Sequence, residues 1–176
     1  MTTDAIRCRE AEAGDLPAVS RQVAESYRTA YRGLMEEDYL ASLADDHWVP
    51  VLTESLAAGS TCILAEDGAE VVGSIVFGPS AADPGPGIYE IFALYLLPGY
   101  MGLGVGHRLY LEAQRRMTGQ GAVACVAEAL CGNTRSIRFC LAHGFAETGT
   151  FSVEENGMTL QCKSLRKEWR HPETIL

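Results

Sequence analysis

No stretch of the chain approaches eighteen consecutive apolar residues, so no membrane-spanning helix is expected. The opening Met1-Thr2-Thr3-Asp4 has neither a basic segment nor an apolar run, which speaks against a secretory signal. The six cysteines, at 8, 62, 125, 131, 140 and 162, form no Cys-x-x-Cys pair, so no metal site is expected. Four of them sit inside apolar or periodic segments and read as reduced thiols of a cytoplasmic protein. Basic residues are scarce: 14 Lys and Arg face 23 Asp and Glu, for a formal net charge of −9. Sequence-independent nucleic-acid binding needs Lys and Arg against phosphates, so that class is excluded, while a cationic acceptor is compatible. Repeats and low-complexity tracts are also missing.

What is present reads as one domain over residues 1–176, with a short polar tail from Arg166 to Leu176. Ile6 to Ala11 alternates as an edge strand. Gly14-Asp15-Leu16-Pro17 starts a helix with Asp15 as N-cap, and Val19, Val23, Ser26, Tyr27 and Ala30 share one of its faces. Tyr31-Arg32-Gly33-Leu34 breaks it, and Glu36-Glu37-Asp38 opens further helical turns carrying Leu40, Leu43, Trp48 and Leu52. Thr61–Glu66 and Val71–Phe77 form a hairpin around Asp67-Gly68. Gly78 to Gly87, with three prolines and three glycines, is a loop. Ile88 to Leu96 is a central buried strand, with Glu90, Phe92, Leu94 and Leu96 on one face. Val105, Leu109, Ala113 and Met117 then mark an amphipathic helix. A small-residue strand from Ala122 to Leu130 follows. Next comes a helix capped by Asn133, with Ile137, Cys140 and Leu141 as its buried stripe and Gly144 closing it. A last strand pair flanks Glu155-Asn156-Gly157. The order β-α-α-β-β-β-α-β-α-β-β is an α/β fold with a mixed central sheet flanked by helices.

Chemistry concentrates between Leu94 and Leu109. A strand meets Pro98, a turn with glycines at 99, 102, 104 and 106, and then a helix. Backbone N–H groups at such a helix N-terminus suit a phosphate or pyrophosphate. Two nucleotide motifs fail on spacing. A P-loop needs Gly-Lys after four residues, and Val105 stands where lysine should follow Gly104. A dinucleotide turn needs a third glycine at 107 or 109, which are His and Leu.

The stretch Met101-Gly102-Leu103-Gly104-Val105-Gly106, after Leu96-Leu97-Pro98, resembles the pyrophosphate loop of the GNAT superfamily of N-acetyltransferases, with Met101 in place of the usual Gln or Arg. A second stretch, Asn133-Thr134-Arg135-Ser136-Ile137-Arg138-Phe139-Cys140-Leu141-Ala142-His143-Gly144-Phe145, resembles that family's Asn-x-x-Ala-x-x-Phe-Tyr-x-x-x-Gly-Phe, with Cys140 in place of tyrosine. The resemblance is specific over residues 88–146, the expected acetyl-CoA core. It implies the acyl-CoA N-acyltransferase fold, whose two middle strands splay apart to admit the pantetheine arm of acetyl-CoA. It also implies acetyl transfer to an amine, with a homodimer expected by analogy alone.

Under that resemblance each residue takes an expected role. Met101, Gly102, Leu103, Gly104, Val105, Gly106 and His107 would hold the pyrophosphate. Backbone groups of Leu94, Tyr95 and Leu96 would run beside the pantetheine, with the Leu96 N–H on the thioester oxygen. Asn133 and Ser136 would meet the cofactor arm, although Asn133 is equally a plain cap. Tyr27, Tyr31 and Arg32 would line the acceptor pocket or simply pack. An alkylamine has a pKa near 10, so transfer needs a base. Glu90, lodged in an apolar strand and acting through water, is the first choice; Glu128 is second and His143 third. Cys140 is a candidate acid for the leaving thiolate, with Tyr100, Tyr31 or solvent as substitutes. The expected acceptor is a small primary amine such as a polyamine or amino acid. A protein amine, or a non-catalytic acetyl-CoA-binding domain, stands as the alternative.

Overall fold

The computed structural model describes residues 5–169. Its elements run β1 (Ile6–Glu10), α1 (Leu16–Ala30), α2 (Glu37–Ser42), α3 (Val49–Ala57), β2 (Thr61–Asp67), β3 (Glu70–Pro79), β4 (Ile88–Leu96), α4 (Val105–Gly119), β5 (Ala124–Leu130), α5 (Thr134–Ala142), β6 (Ala146–Glu155) and β7 (Met158–Glu168). The strands form a seven-stranded mixed sheet in the order β1-β2-β3-β4-β5-β7-β6. The β4/β5 pair is parallel, whereas β1/β2, β2/β3, β5/β7 and β6/β7 are antiparallel. β1 lies at an edge, as its alternation suggests. Three helices rather than two precede β2, because Pro50 in the first turn of α3 starts a separate helix. Of the expected polar tail, Arg166–Glu168 belong to β7, and residues 170–176 lie outside the described residues, as do residues 1–4.

By contacts the chain divides into two compact units, Met1–Phe77 with Phe92–Gln114, and Gly78–Ile91 with Arg115–Leu176. In the first unit, Cys62, Ile63, Leu64 and Ala65 of β2 are all fully buried, as a strand covered on both faces must be. One face packs Cys62, Leu64 and Val76 against Leu16, Val19 and Val23 of α1 and Leu52 of α3. Burying each such side chain contributes about 1.5–3 kcal/mol. On α4, Val105, Leu109, Ala113 and Met117 are all buried, which bears out the four-residue periodicity. Gly73 of β3 lets β4 and α4 close up: a Cβ there would sit 2.4 Å from Leu96 Cδ2 and 3.3 Å from Leu109 Cδ1. The β2–β3 turn is Gly68-Ala69, one residue later than expected, with Gly68 at φ 61°.

In the second unit the parallel register runs from Ile88↔Ala124 to Ile91↔Ala127. β7 pairs β5 from Ala124↔Glu168 to Leu130↔Cys162 and continues outward as a hairpin with β6. That hairpin closes on Asn156 and Gly157, at φ 47° and 76°, the two positive values that a two-residue turn of right-handed twist requires. α5 ends in a Schellman motif. The Gly144 N–H donates to Leu141 O at 3.1 Å and the Phe145 N–H to Cys140 O at 3.1 Å, with Gly144 at φ 87°. Of the expected stripe on α5, Ile137 is buried and Cys140 half-buried, but Leu141 is 45% exposed. One helical turn separates Ile137 from Leu141, and the short α5 buries a narrower stripe than its apolar residues would allow. The central strand likewise departs from expectation: Phe92 is 42% exposed, and the most buried residue of β4 is the carboxylate, Glu90.

Candidate active site

The glycine turn lies wholly in the first unit. Pro98–Tyr100 makes one 3-10 turn, and the chain then turns through Met101–Gly104 into α4. Gly102 and Gly104 stand at φ 76° and 82°, with nothing within 4 Å of where a Cβ would sit. Their need for glycine is therefore conformational, and the space above them is open. Gly104 O accepts the first helical bond, from the Arg108 N–H at 3.0 Å. The N–H groups of the first turn have no partners within the helix itself, and they lie just after an exposed Gly102-Leu103-Gly104. Three ties fix the turn. Val105 is buried, the Tyr100 hydroxyl donates to Asp67 Oδ2 at 2.8 Å, and the Arg108 guanidinium donates to Ile6 O at 2.8 Å. The bond to Asp67 pushes the Tyr100 hydroxyl pKa up, which weakens it as an acid.

The same unit sets the backbone of β4. The Leu97 N–H donates to Val72 O on β3 at 2.9 Å, and Tyr95 O accepts from Gln22 Nε2 at 3.1 Å. Gln22 is itself buried and held by the Ser74 hydroxyl at 2.7 Å. Backbone groups alternate along a strand, so those of Leu94 and Leu96 point away from β3. The Tyr95 and Tyr31 hydroxyls are 2.9 Å apart, and the Tyr27 and Tyr31 rings meet edge-on at 4.3 Å. Tyr27 and Tyr31 are both buried, with Trp48 against Tyr27, whereas Arg32 is exposed just past the end of α1.

The carboxylates lie in the second unit. Glu90 is 8% exposed, and its Oε2 accepts three hydrogen bonds: from Ser80 Oγ at 2.9 Å, the Ala81 N–H at 3.1 Å and the Ala82 N–H at 3.2 Å. Its partners are thus a serine and two loop amides, not an arginine or lysine. Register and alternation put Glu90, Val126, Glu128, Ser164 and Arg166 on one face of the sheet. That face carries a cavity of about 320 Å³ lined by Asp83, Glu128, Thr148, Ser164 and Arg166, over Val126 and Leu165. Arg166 is paired with Asp83 and Glu168. Glu128 has its pKa raised, first by partial burial and then by the charge of Glu90. On α5, burial pushes the Cys140 thiol up to about 11, and Cys125 on β5 is pushed to about 12, first by burial and then by Cys140. Asn133 caps α5, its Oδ1 accepting from the Ser136 N–H at 3.2 Å. His143 ends that helix with Nδ1 2.7 Å from Phe139 O. No group of three or more His, Cys, Asp or Glu side chains among the described residues could hold a metal. No helix among them is long and apolar enough to cross a membrane.

The sequence profile of the Acetyltransferase (GNAT) family matches residues 21–145. The chain belongs to the GNAT acetyltransferase family. An uncharacterized N-acetyltransferase of Bacillus subtilis strain 168, YuaI, is 26% identical over 155 residues, covering 86% of this chain and 73% of its own. The fold is shared with the PaiA N-acetyltransferase of Thermoplasma acidophilum, solved in complex with coenzyme A, at a TM-score of 0.71 and 20% identity, covering 93% of this chain and 99% of that one. It is shared equally with the ribosomal-protein-alanine N-acetyltransferase of Brucella melitensis, at a TM-score of 0.71 and 23% identity, with the same coverage.

As a GNAT chain the molecule is an acyltransferase, and its two departures from the family pattern stand out. Met101 enters the glycine turn half-buried, and Cys140 is a half-buried thiol on α5. The structure brings together Tyr27, Tyr31 and Tyr95 in one unit, and Glu90 and Glu128 in the other. Sequence reasoning missed Gln22 and Ser74 behind β4, and Ser80, Asp83 and Arg166 around the carboxylates. Gln22 alone had a signal, as a polar residue on the buried side of an amphipathic helix. The others depend on contacts distant in sequence.

Proposed function

We propose that this chain is an acetyl-CoA-dependent N-acetyltransferase that moves the acetyl group directly to a primary amine of a small molecule. The observation that carries the cofactor assignment is the pair of positive-φ glycines, Gly102 and Gly104, opening α4 with clear space above them. That turn suits a pyrophosphate, which the N–H groups of residues 102–107 would hold. The bound thioester supplies the acetyl group. Leu94 and Leu96 direct their backbone groups away from β3 and would pair with the pantetheine amides, the Leu96 N–H serving as the oxyanion donor, a role typically worth about 3 kcal/mol. Asn133 and Ser136, already bonded to each other, would border the cofactor arm. Tyr27, Tyr31 and Arg32 would border the acceptor. The acceptor amine gives up its proton to the Glu90–Glu128 carboxylate pair. Cys140 remains protonated, and the leaving thiolate takes its proton from solvent.

A small acceptor is favoured over a polypeptide by the size of the cavity beside Glu128, about 320 Å³, at the low end for small-molecule sites. Glu128, the cavity carboxylate that Arg166 does not pair with, suits a cationic amine. The test is CoA release, followed with a thiol reagent, from acetyl-CoA with polyamines, amino acids, aminoglycosides and short peptides. Release with small amines and not with peptides supports the reading. A melting temperature raised by acetyl-CoA without release from any acceptor would replace it with a binding domain. No thermal shift at all would remove the glycine turn from cofactor binding.

A further inference from the structure

Two carboxylates share one face of the second unit, and their surroundings differ. Glu90 is buried, and one of its oxygens carries three donors, more than its lone pairs take comfortably. Glu128, two residues along β5 from Val126, the register partner of Glu90, is exposed and lines the cavity. A general base must come within hydrogen-bond reach of the proton it takes, and Glu128 is the one that offers its oxygens to the cavity. Ser80 links the two environments. Its hydroxyl donates to Glu90 Oε2 at 2.9 Å and accepts from the Asp83 N–H at 2.9 Å, so it is oriented from both sides. Alanine could do neither, and threonine could do both.

Resting on the acetyltransfer reading above, we infer that Glu128 takes the proton from the acceptor amine, and that Ser80 is a positioning residue which fixes the Glu90 carboxylate beside it. Partial burial first, and the fixed negative neighbour second, disfavour the charged form of Glu128 and make it a stronger base. The other groups facing Glu128 are Asp83 from the β3–β4 loop, Arg166 from β7, and the Cys162 thiol, also from β7. Arg166 is already matched by Asp83 and Glu168, and β6 contributes only Thr148 to the cavity. Glu90 is therefore the neighbouring charge that adds to partial burial in raising the Glu128 carboxyl.

The test uses the full chain and compares Ser80→Ala, Ser80→Thr, Glu90→Gln and Glu128→Gln. The readout is the pH dependence of kcat/KM with acetyl-CoA and spermidine, or whichever small amine in the panel releases CoA fastest. Glu128→Gln should cost about 100-fold or more and abolish the acidic limb. Glu90→Gln and Ser80→Ala should keep the limb but move it to lower pH, by about half to one unit, because losing or freeing a negative neighbour makes Glu128 easier to ionise. Ser80→Thr should restore the wild-type position, and KM for acetyl-CoA should hold throughout. A limb that survives Glu128→Gln, or vanishes in Glu90→Gln, overturns the assignment. An unmoved limb in Ser80→Ala overturns the role of Ser80. The carbon-13 titration of the Glu128 carboxyl, read without turnover, separates this from the parent reading. A wild type that acetylates no amine sinks the acetyltransfer reading, whereas a Glu128 titration that does not move in Ser80→Ala and Glu90→Gln sinks the positioning. If Ser80→Ala does not fold, Glu90→Gln and Ser80→Thr still decide.

Discussion

Replacing Cys140 by alanine should leave acetyl transfer nearly intact, although this position holds the family's tyrosine acid. Burial on α5 pushes the thiol up to about 11, while a free alkyl thiol such as that of the departing coenzyme sits near 8.5. Direct proton transfer from Cys140 would thus run about 2.5 units uphill, roughly 3.4 kcal/mol at 1.36 kcal/mol per unit. A thiolate of pKa near 8.5 can depart without an acid and be protonated afterwards in bulk solvent, so kcat of Cys140→Ala should stay within about threefold of wild type, against the roughly 10²–10⁴-fold loss that removing a working acid brings. Cys140→Tyr should raise kcat if a phenol at this position is the efficient donor that the chain lacks. The same raised pKa makes an independent forecast. At pH 7.5 only about 3 in 10⁴ of a thiol at pKa 11 is ionised, against about one in ten at 8.5, so iodoacetamide should label Cys140 roughly 300-fold more slowly than an ordinary thiol. Steady-state kinetics of the alanine and tyrosine variants, with mass spectrometry of the labelled wild type, measure all three. A loss above 100-fold in Cys140→Ala, or fast labelling of Cys140, would refute the reasoning.

Gly104→Ala adds a Cβ with open space around it, so no clash follows, but it forces an L-residue to φ 82° at a cost of about 1–2 kcal/mol. The melting temperature should fall and acetyl-CoA affinity by calorimetry should drop about tenfold, because the N–H groups of the turn no longer hold their direction; unchanged affinity would take Gly104 out of the cofactor site. The Asp15 carboxyl is held at about 2, first by the Arg9 guanidinium that bonds both its oxygens and then by the Glu12 N–H. A carboxyl lowered on folding stabilises the fold above its ordinary value near 3.9 and loses that contribution as pH falls toward 2. Asp15→Asn should therefore lower the urea midpoint at pH 7 by an amount equivalent to about 1 kcal/mol, with the difference from wild type closing between about pH 4 and pH 2. A gap that stays constant across that range would show that the Arg9 pair contributes nothing through charge.

Features written in short windows were legible before any coordinates. The bounds of β4, the glycine turn, the four-residue spacing of α4 and the Asn133 cap all rest on local rules of alternation, helix entry and periodicity, and they stand in the structure as expected. Contacts between distant residues were not legible. Gln22 meets the backbone of Tyr95 from 73 residues away, and Arg166 meets Asp83 from 83 away; no window contains both partners. Apolar residues misled where a face is left uncovered: Phe92 and Leu141 fit their periodic stripes yet are exposed, because periodicity reports which residues share a face and not whether anything packs on it.

Glu90 joins these two kinds of information. A lone carboxylate in an apolar strand needs polar partners as well as a role. The structure supplies neither a lysine nor an arginine, but a serine and two amides from a loop whose prolines and glycines gave no hint of a binding role. Such donors hold the carboxylate in one place, which suits an organiser. The exposed Glu128 has the complementary surroundings, close to a negative charge and open to the cavity. Residue type alone put Glu90 first, because burial in a strand is visible in sequence; the three donors on its Oε2, which lead the inference above to Glu128, are not.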